Sequence, residues 1–431
     1  MSYKLIFKMG EFYRNNKIRK HFNELMKTDF ADIIVLEQMQ LTRLKKLLKH
    51  ARENSKFYKD ALKDIDIENF ELDQISSLPI MSKEGLKQNQ DSIQNDMSEK
   101  MFLSGTSGST GNALVFERNS DWDASHRAAQ LRGYRWFGIE PWMKNLYFWG
   151  FNPSFVKKLK MRLTDILMNR YRVFDYEKRT VDKAKRSLEN AQYIEGYSSA
   201  VFALAQKLDK ENVKFDNILL VKGTSEKIFD FYQNSVKSVF GKKMVSEYGA
   251  AESGIIAFEC PSGRMHIVME NVIVEEVNNK ILVTNLFSYS FPIIRYELGD
   301  YIKLNTQEKC SCGRSHYIID EVTGRIGEEI VGKKKNYPSL TLYYVFKNIS
   351  LGKKSDLAYF ACQDTKGKIT IRVLSSSQEN ETIRKYIDDE MNKYFNNDLE
   401  VNIKFVEKLD MQGRKSQSFI SYLNDDRRTC N

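Results

Sequence analysis

A short segment near residue 105 carries the residue types of an anion-binding loop. The stretch FLSGTSGSTGNALVFER, residues 102–118, holds three Gly and five Ser or Thr between two apolar runs. Gly lets backbone N–H groups approach an anion closely, and hydroxyls add donors without bulk. The expected donors are Ser104, Gly105, Thr106, Ser107, Gly108, Ser109, Thr110 and Gly111. An ordinary long hairpin loop has a similar composition, so the stretch alone leaves both interpretations open.

Four further stretches follow in a defined order along the chain. They are GTSE (223–226), SEYGAAESG (246–254), FPIIRYELGDYIKL (291–304) and TGRIGEEI (323–330). Each one alone is typical of a turn or of a loop with solvated charges. The Gly-rich loop is not a Walker A loop, because it lacks the Gly-Lys-Ser/Thr ending.

Two turn-rich segments carry residues that can bind a metal. ECPSGRMH contains Cys260 and His266, and CSCGRSH contains Cys310, Cys312 and His316. Cys and His are the usual zinc ligands, but this spacing is not that of a standard zinc finger. Free cysteines and a surface histidine remain an equal alternative at this point.

The composition indicates which class of protein this chain belongs to. The chain has 431 residues, a net charge of +10, and 42% apolar residues, which suits two or three folded domains. Its Lys and Arg are spread out, so we expect anionic small molecules rather than nucleic acid as partners. No apolar run has the ~20 residues of a membrane span, and the N-terminus lacks a signal-peptide pattern. Five Cys do not suggest a disulfide framework, so we expect a cytoplasmic protein.

The basic amphipathic N-terminus is a separate feature. It could make weak contact with an anionic membrane surface, although an ordinary surface helix has the same pattern.

Periodicity up to about residue 325 predicts an α/β fold. Apolar spacing predicts helices over 33–63, 121–137, 180–192, 198–210 and 226–239, and Ser82 is expected to start another helix. KNLYFWG and RYRVFDY are expected to be strands near the centre of a sheet. NILLVKGTSE is a continuous apolar run, which favours a buried parallel strand.

The pattern changes after about residue 325 to that of a small α+β domain. LAYFACQ and KITIRVL are expected to pair as strands, followed by an amphipathic helix that contains Ile383 and Ile387 and by a strand in LEVNIKFVEKL. VGKKKNYPS is expected to be a linker. Cys362 is interpreted as a core residue and Cys430 as a residue of the tail.

Together and in this order, the five stretches resemble the AMP-forming adenylating superfamily. They are most similar to its phenylacetate–CoA ligase branch, which includes capsule-biosynthesis members. FYKDAL, LPIMSKEGL and IEGYSSAVFALAQKL extend the resemblance over almost the whole chain. The implied α/β fold has a large N-terminal adenylating domain with mixed sheets and helices over 1–325, including a helical segment at about 1–90. A small mobile α+β lid domain would span 326–431.

The resemblance implies ATP-dependent activation of a small carboxylic acid. The acid attacks the α-phosphate of ATP, which forms an acyl-adenylate and pyrophosphate, and the acyl group then passes to coenzyme A. Both reactants are anionic, so the site must neutralise charge and exclude water. The loop at 104–111 would hold the β- and γ-phosphates, Glu252 would bind Mg²⁺, and Asp300 would bind the ribose. The remaining nucleotide contacts implied are Ser225, Glu226, Tyr248, Gly249 and Arg325.

The resemblance also assigns roles to residues outside the nucleotide pocket. The lid would rotate between an adenylating and a transfer position, and Lys415 in MQGRKSQSF is favoured over Arg414 as its catalytic cation. Some members of the branch carry zinc at positions that match Cys260, His266, Cys310 and Cys312, which implies a structural site with His316 in reserve. The chain departs from the family pattern at three positions. Asn112 and Ala113 stand where a basic residue is usual, and Gly327 stands where an acid is usual.

Three functions remain open at this stage. The first is an acyl–CoA ligase, and the second passes the acyl group to an amine or hydroxyl of a capsular polysaccharide precursor. The third is an inactive nucleotide-binding or scaffold protein. A homodimer is compatible with all three. The acid is not identified, although relatives line its pocket with the segments that hold Tyr134, Trp136, Phe137, Trp149 and Tyr197.

Overall fold

The protein is described here by a computed structural model that covers most of the chain. The described residues are 2–95, 97–106, 114–148, 155–173, 178–225, 228, 230–324, 329–339, 341–342, 345–346, 348–349, 357, 359–375, 380–407, 419–423 and 430. The chain forms two compact units: one holds residues 1–108, 112–298 and 302–322, and the other holds residues 109–111, 299–301 and 323–431. Within the described ranges, no helix combines the length and the apolar character that crossing a membrane requires.

Helices dominate the first part of the first unit. They are α1 (Tyr3–Arg14), α2 (Ile18–Thr28), α3 (Ile33–Asn54), α4 (Lys56–Ala61), α5 (Lys83–Gln88), α6 (Gln90–Ile93) and α7 (Ser120–Arg135). The helix expected over 33–63 is interrupted at Ser55, whose hydroxyl accepts the N–H of Tyr58 and caps α4. Ser82 starts α5 as predicted, since its hydroxyl accepts the N–H of Gly85 at 3.0 Å.

An 11-stranded sheet forms the centre of the first unit. Its strands are β3 (Asn145–Phe148), β4 (Arg170–Arg172), β5 (Tyr193–Tyr197), β6 (Leu220–Thr224), β7 (Met244–Ala250), β8 (Gly254–Glu259), β9 (Met265–Ile267), β10 (Val272–Val277), β11 (Lys280–Asn285), β12 (Tyr296–Asn305) and β13 (Ile318–Gly324). A separate hairpin joins β1 (Phe102–Gly105) to β2 (Val115–Arg118). The order across the large sheet is β10-β11-β12-β13-β9-β8-β7-β6-β5-β3-β4. Strands β3 to β7 pair in parallel, whereas β7, β8 and β9 pair antiparallel.

The parallel part of the sheet confirms one strand prediction and corrects another. β6 lies between β5 and β7, parallel to both and buried, as NILLVKGTSE predicts. The expectation that KNLYFWG and RYRVFDY lie near the sheet centre is wrong, because β4 is the outermost strand and β3 is its neighbour. Arg170 and Arg172 of β4 pair with Asp165, and such charged side chains suit an edge strand.

The helices that cover the parallel strands are α8 (Phe155–Leu167), α9 (Lys178–Leu188), α10 (Ser198–Lys210) and α11 (Asp230–Phe240). The predicted bounds are confirmed for α10 and are within two residues for α7, whereas α9 begins and ends earlier than expected. Apolar side chains of α9, α10 and α11 pack with the parallel strands into one core. Those of α3 pack with the antiparallel strands into another.

The second unit contains β14 (Glu329–Val331), β15 (Asn336–Pro338), β16 (Tyr359–Gln363), β17 (Lys368–Leu374), α12 (Asn380–Phe395), β18 (Glu400–Val406) and β19 (Phe419–Ser421). Its four-stranded sheet has the order β18-β17-β16-β19, and the predicted pairing of β16 with β17 is confirmed. The expected linker VGKKKNYPS is instead part of the β14–β15 hairpin. The carboxylate of Asp398 accepts the N–H groups of Lys334 and Lys335, which holds the turn in place.

The two cysteines of the second unit lie together. Cys362 is buried in β16, as predicted, and it forms a disulfide with Cys430. The interpretation of Cys430 as a tail residue is therefore wrong. Its side chain is buried, and its N–H donates to the carboxylate of Asp364 at 2.8 Å.

Candidate functional site

The carboxyl ends of β5, β6 and β7 bring two of the sequence stretches to one edge of the sheet. Tyr197 pairs in register with Thr224, and Thr224 pairs with Glu247. Ser225 directly follows the end of β6, and Tyr248 is the next residue of β7 after Glu247. Open α/β sheets bind their ligands at this edge, outside the carboxyl ends of parallel strands.

Backbone geometry at this edge explains the small residues of SEYGAAESG. The register between β7 and β8 shifts between Tyr248 and Gly249. A Cβ on Gly249 would lie 2.3 Å from the carbonyl oxygen of Gly254, so no larger residue fits there. Ser225 has a φ of 64°, a left-handed conformation that costs free energy in a non-glycine residue and often marks a functional turn.

Glu252 lies in the turn between β7 and β8, and only 2% of it is exposed. Its Oε1 accepts the hydroxyl hydrogen of Tyr296 at 3.0 Å, and its backbone oxygen accepts from Nδ2 of Asn285 at 3.2 Å. Tyr296 is itself held at the start of β12, where the neighbouring Arg295 donates to Glu275 and to backbone oxygens. The stretches SEYGAAESG and FPIIRYELGD are thus in direct contact.

The Gly-rich loop leaves the β1–β2 hairpin. Ser104 and Gly105 lie in β1, and Gly105 pairs with Val115. At the base of the loop, Thr106 donates its N–H to the Leu114 oxygen, and its hydroxyl oxygen accepts the Leu114 N–H, both at 3.0 Å. The Thr106 hydroxyl keeps its hydrogen for donation. Ser107, Gly108, Ser109, Thr110 and Gly111 lie outside the described residues.

The other predicted nucleotide contacts are divided between described and undescribed parts of the chain. Asp300 lies in the middle of β12 and is partly buried. Glu226, Arg325, Arg414 and Lys415 lie outside the described residues, so their roles stay predictions.

A buried charged cluster centred on Lys222 of β6 was not predicted from the sequence. Lys222 is fully buried, and its Nζ lies 2.8 Å from Oε2 of Glu247 and 3.3 Å from Oε2 of Glu195. Burial alone would lower the pKa of Lys222, but the two carboxylates raise it above its usual value. The Tyr134 hydroxyl donates to Glu195, and Thr224 donates to Glu247. The available signal was a charged residue inside an apolar strand run, since such a residue needs partners when buried.

This cluster also bears on the aromatic residues expected in the acyl pocket. Tyr134 belongs to the charged cluster, and Lys222 Nζ lies 4.9 Å from the centre of its ring. Trp136 instead donates its indole N–H to Asp29 and packs edge-on against His266. Tyr197 lies at the end of β5, at the edge described above, and Trp149 lies outside the described residues.

The second predicted site gathers all four expected ligands. The ligand atoms of Cys260, His266, Cys310 and Cys312 lie within 4.8 Å of one another. The two sulfurs of Cys260 and Cys310 are 3.7 Å apart, and the sulfur of Cys312 is 3.2 Å from Nε2 of His266. A tetrahedral zinc with Zn–S of ~2.3 Å requires sulfur–sulfur separations of about 3.8 Å, so the donor set fits this ion.

Neighbouring groups orient the ligands of this cluster. Nδ1 of His266 lies 3.2 Å from the backbone oxygen of His316, so it donates there and leaves the Nε2 lone pair facing Cys312. The ring of His316 faces Glu270 instead, with Nε2 at 3.1 Å from the carboxylate, so this reserve ligand lies outside the cluster. Burial raises the pKa of Cys260 to about 12 and lowers that of His266 to about 4, which keeps the imidazole neutral.

Comparison with known proteins bears on the fold of the chain. No family model matches the chain. Protein CapK from Staphylococcus aureus is 20% identical over 423 residues, which cover 93% of this chain and 92% of CapK. The structure of 2-hydroxyisobutyryl-CoA ligase in the postadenylation state, in complex with R3-HIB-AMP, aligns with a TM-score of 0.62 at 15% identity. That alignment covers 92% of this chain and 91% of the ligase.

The chain has the fold of 2-hydroxyisobutyryl-CoA ligase. The predicted α/β class and the resemblance seen in the five stretches are confirmed at the level of the fold. The same ligase in its thioesterification state, with 2-HIB-AMP and CoA, aligns with a TM-score of 0.60 at 17% identity. Adenylating ligases therefore resemble this chain over nearly its whole length.

Proposed function

We propose that this chain is an ATP-dependent, AMP-forming ligase that activates a small carboxylic acid as its acyl-adenylate. Coenzyme A is the proposed acceptor of the acyl group. The observation that carries the proposal is the contact between two of the motif stretches, through Tyr296 and Glu252, at the edge of a sheet with the adenylating fold. An inactive scaffold would have no requirement for a carboxylate held in this way.

The proposed roles follow from the chemistry of each group. Glu252 supplies a carboxylate oxygen for Mg²⁺, a hard cation that prefers oxygen ligands. The hydroxyls and N–H groups of the loop at 104–111 bind the β- and γ-phosphates, and the carboxylate of Asp300 accepts hydrogen bonds from the ribose hydroxyls. Tyr248 and Gly249 line the adenine pocket, where the backbone of Gly254 lies too close to Gly249 to admit a side chain at that position. Bound Mg²⁺ would reduce the repulsion between the two anionic reactants.

Three further roles complete the nucleotide part of the proposal. Ser225 and Glu226 contact the nucleotide, and Arg325 acts near a domain junction at residues 325 and 326. Lys415 contributes the positive charge that the forming acyl-adenylate requires.

Acid-dependent exchange of pyrophosphate into ATP tests the first half-reaction. We expect at least one acid from a broad panel of small aliphatic, hydroxylated and aromatic acids to support exchange in the presence of Mg²⁺. Glu252→Gln is the inactive control and Glu140→Gln is the matched control, since Glu140 is a partly buried carboxylate that pairs with Arg135 outside the motif stretches. Zero exchange with every acid would favour the inactive nucleotide-binding or scaffold protein.

A second acceptor remains a candidate for the transfer step. The similarity to Protein CapK extends over 93% of the chain, and the branch that the sequence resembles includes capsule-biosynthesis members. Under this alternative, an amine or hydroxyl of a polysaccharide precursor replaces coenzyme A. Release of AMP with coenzyme A supports the first candidate, whereas release only with an amine or hydroxyl acceptor supports the second.

Zinc completes the proposal as a structural ion. Cys260, His266, Cys310 and Cys312 supply four donors, which leaves no position open for substrate. The ion would join the β8–β9 hairpin to the turn before β13, a segment that is remote from this hairpin in sequence.

A further inference from the structure

Two neighbouring helices of the first unit leave apolar stripes in solvent. α1 packs beside α8, and about half of the large apolar side chains exposed among the described residues lie on these two helices. On α1 the stripe is formed by Leu5, Met9, Phe12 and Tyr13, and on α8 by Leu159, Leu163, Ile166 and Leu167. Both sets follow the spacing i, i+4, i+7 and i+8, so each covers one face of its helix.

These faces point away from the protein. α1 contacts the rest of the first unit through its other side, where Phe7 packs against Ile18, Ala124 and Leu131. Phe12 is 73% exposed and Leu163 is 61% exposed, values that are unusual for large apolar residues of a helix. Amphipathic helices normally bury their apolar face, so these two faces are suited to pack against an apolar surface outside the protein.

The charges around the stripes are positive on the outward side. Each helix contains one acidic residue, and both acids turn inward. Glu11 pairs with Arg19, and Asp165 pairs with Arg172. The basic residues Lys4, Lys8 and Arg162 are exposed next to the stripes.

We infer that α1 and α8 form a docking surface for an anionic lipid bilayer. The apolar stripes enter the boundary between headgroups and acyl chains, and the basic side chains contact lipid phosphates. Charge complementarity favours this occupant over an apolar face of another protein, because such a face would gain nothing from the cations. A second copy of this chain would place like charges against one another.

Vesicle binding by the full chain tests this inference. The probes are vesicles of phosphatidylcholine alone and vesicles in which about one-third of the lipid is phosphatidylglycerol. We expect sedimentation with the anionic vesicles only, weakened at ~0.5 M salt because exposed charges are screened. Leu163→Glu combined with Met9→Glu should weaken binding at least tenfold, and Lys8→Glu should weaken it about fivefold or more. Leu374→Glu, at an exposed leucine of the second unit, is the matched control and should bind normally.

Three results would overturn the inference. The first is no binding of the unaltered chain to anionic vesicles, and the second is binding that the double variant leaves unchanged. The third is a dimer in light scattering that Leu163→Glu converts to a monomer without changing vesicle binding, which would assign the stripes to contact between two copies. Thermal unfolding of each variant shows whether the fold is retained, because outward-facing substitutions should leave the unfolding midpoint nearly unchanged.

Discussion

The hydroxyl of Tyr296 donates a hydrogen bond of 3.0 Å to Oε1 of Glu252. The two residues are 44 positions apart in the chain, and each belongs to a different motif stretch. The bond orients a carboxylate that is almost completely buried, and burial of a carboxylate is costly unless its oxygens have partners. The pair therefore links the fold of the sheet edge to the proposed Mg²⁺ ligand.

Substitution of this pair should separate positioning from ligation. Glu252→Gln should reduce acid-dependent pyrophosphate exchange by a hundredfold or more, because it removes the charge that binds Mg²⁺. Tyr296→Phe should reduce exchange about tenfold and raise the Mg²⁺ concentration needed for half-maximal rate. Tyr58→Phe is the control, since Tyr58 is equally buried and its hydroxyl donates to the Pro292 carbonyl. If Glu252→Gln lowers the exchange rate by less than about tenfold, or ~1.4 kcal/mol in the activation barrier, Glu252 is not the Mg²⁺ ligand.

Asp300→Ala should weaken the use of ATP. The carboxylate is proposed to accept two hydrogen bonds from the ribose, and loss of charged hydrogen bonds typically costs about 1.5–3 kcal/mol each. We therefore expect kcat/KM for ATP to fall by about a hundredfold in steady-state exchange, with the KM for the acid little changed. Glu297→Gln on the same strand, whose carboxylate pairs with Lys280, should have little effect. An equal loss in both variants would indicate a general disturbance of β12.

The Cys/His cluster should hold about one zinc per chain in elemental analysis. Cys310→Ser should abolish the metal and lower the free energy of unfolding of the first unit by on the order of 3 kcal/mol, because metal binding contributes directly to folding. Cys362→Ser, at a buried cysteine remote from the cluster in sequence, should retain the zinc. Protein prepared in metal-free buffer and then supplied with zinc should regain the lost stability. Absence of zinc from such protein would overturn the metal assignment.

The catalytic cation of the second domain is proposed to be Lys415. Lys415→Ala should slow formation of the acyl-adenylate about a hundredfold or more, the scale for loss of one charge-stabilising group. Transfer from a pre-made adenylate should be nearly unchanged, as measured by single-turnover kinetics. Arg414→Ala is the matched control and should have the smaller effect on the first step. If Arg414→Ala has the larger effect on adenylate formation, the catalytic cation is Arg414, one residue earlier. If neither variant slows adenylate formation, this segment does not supply the catalytic cation.

Acid should weaken the attachment of α2 to α7. Asp121 on α7 contacts Nζ of Lys17 at 2.7 Å and Nε2 of His21 at 2.9 Å. Burial would raise the pKa of Asp121, but its bonds to His21 and Lys17 hold it well below the usual value. A depressed pKa contributes stability above the unfolded-state value of about 3.9, and this stability is lost as the pH falls through the folded-state value.

Thermal unfolding between pH 7 and pH 3 measures this contribution. Asp121→Asn should lower stability by about 1 kcal/mol at pH 7, a value for a partly exposed ion pair, and the difference should shrink toward acid pH. Asp64→Asn, at an exposed carboxylate, should follow the unaltered protein at every pH. A constant difference for Asp121→Asn over this range would show that ionisation of the carboxylate is not the cause.

Local sequence determined much of the fold because periodicity reports which face of an element is buried. The spacing in α10 and the continuous apolar run of β6 predicted both elements, and alternation in KITIRVL predicted a paired strand. Residue chemistry also marked two turn-rich Cys/His segments, and the family resemblance selected Cys260, His266, Cys310 and Cys312 in them as a candidate zinc site. None of these conclusions depends on how distant segments are arranged.

Only the tertiary structure decided which distant segments meet. It placed β4 at the sheet edge, formed a hairpin where a linker was expected, and paired Cys362 with Cys430. It also placed the ring of His266, rather than that of His316, against the cysteines, and it placed two carboxylates next to Lys222. Apart from the β14–β15 hairpin, whose turn is held by the distant Asp398, these contacts join residues that are remote in sequence. Their geometry depends on strand order and loop closure, which short-range patterns do not encode.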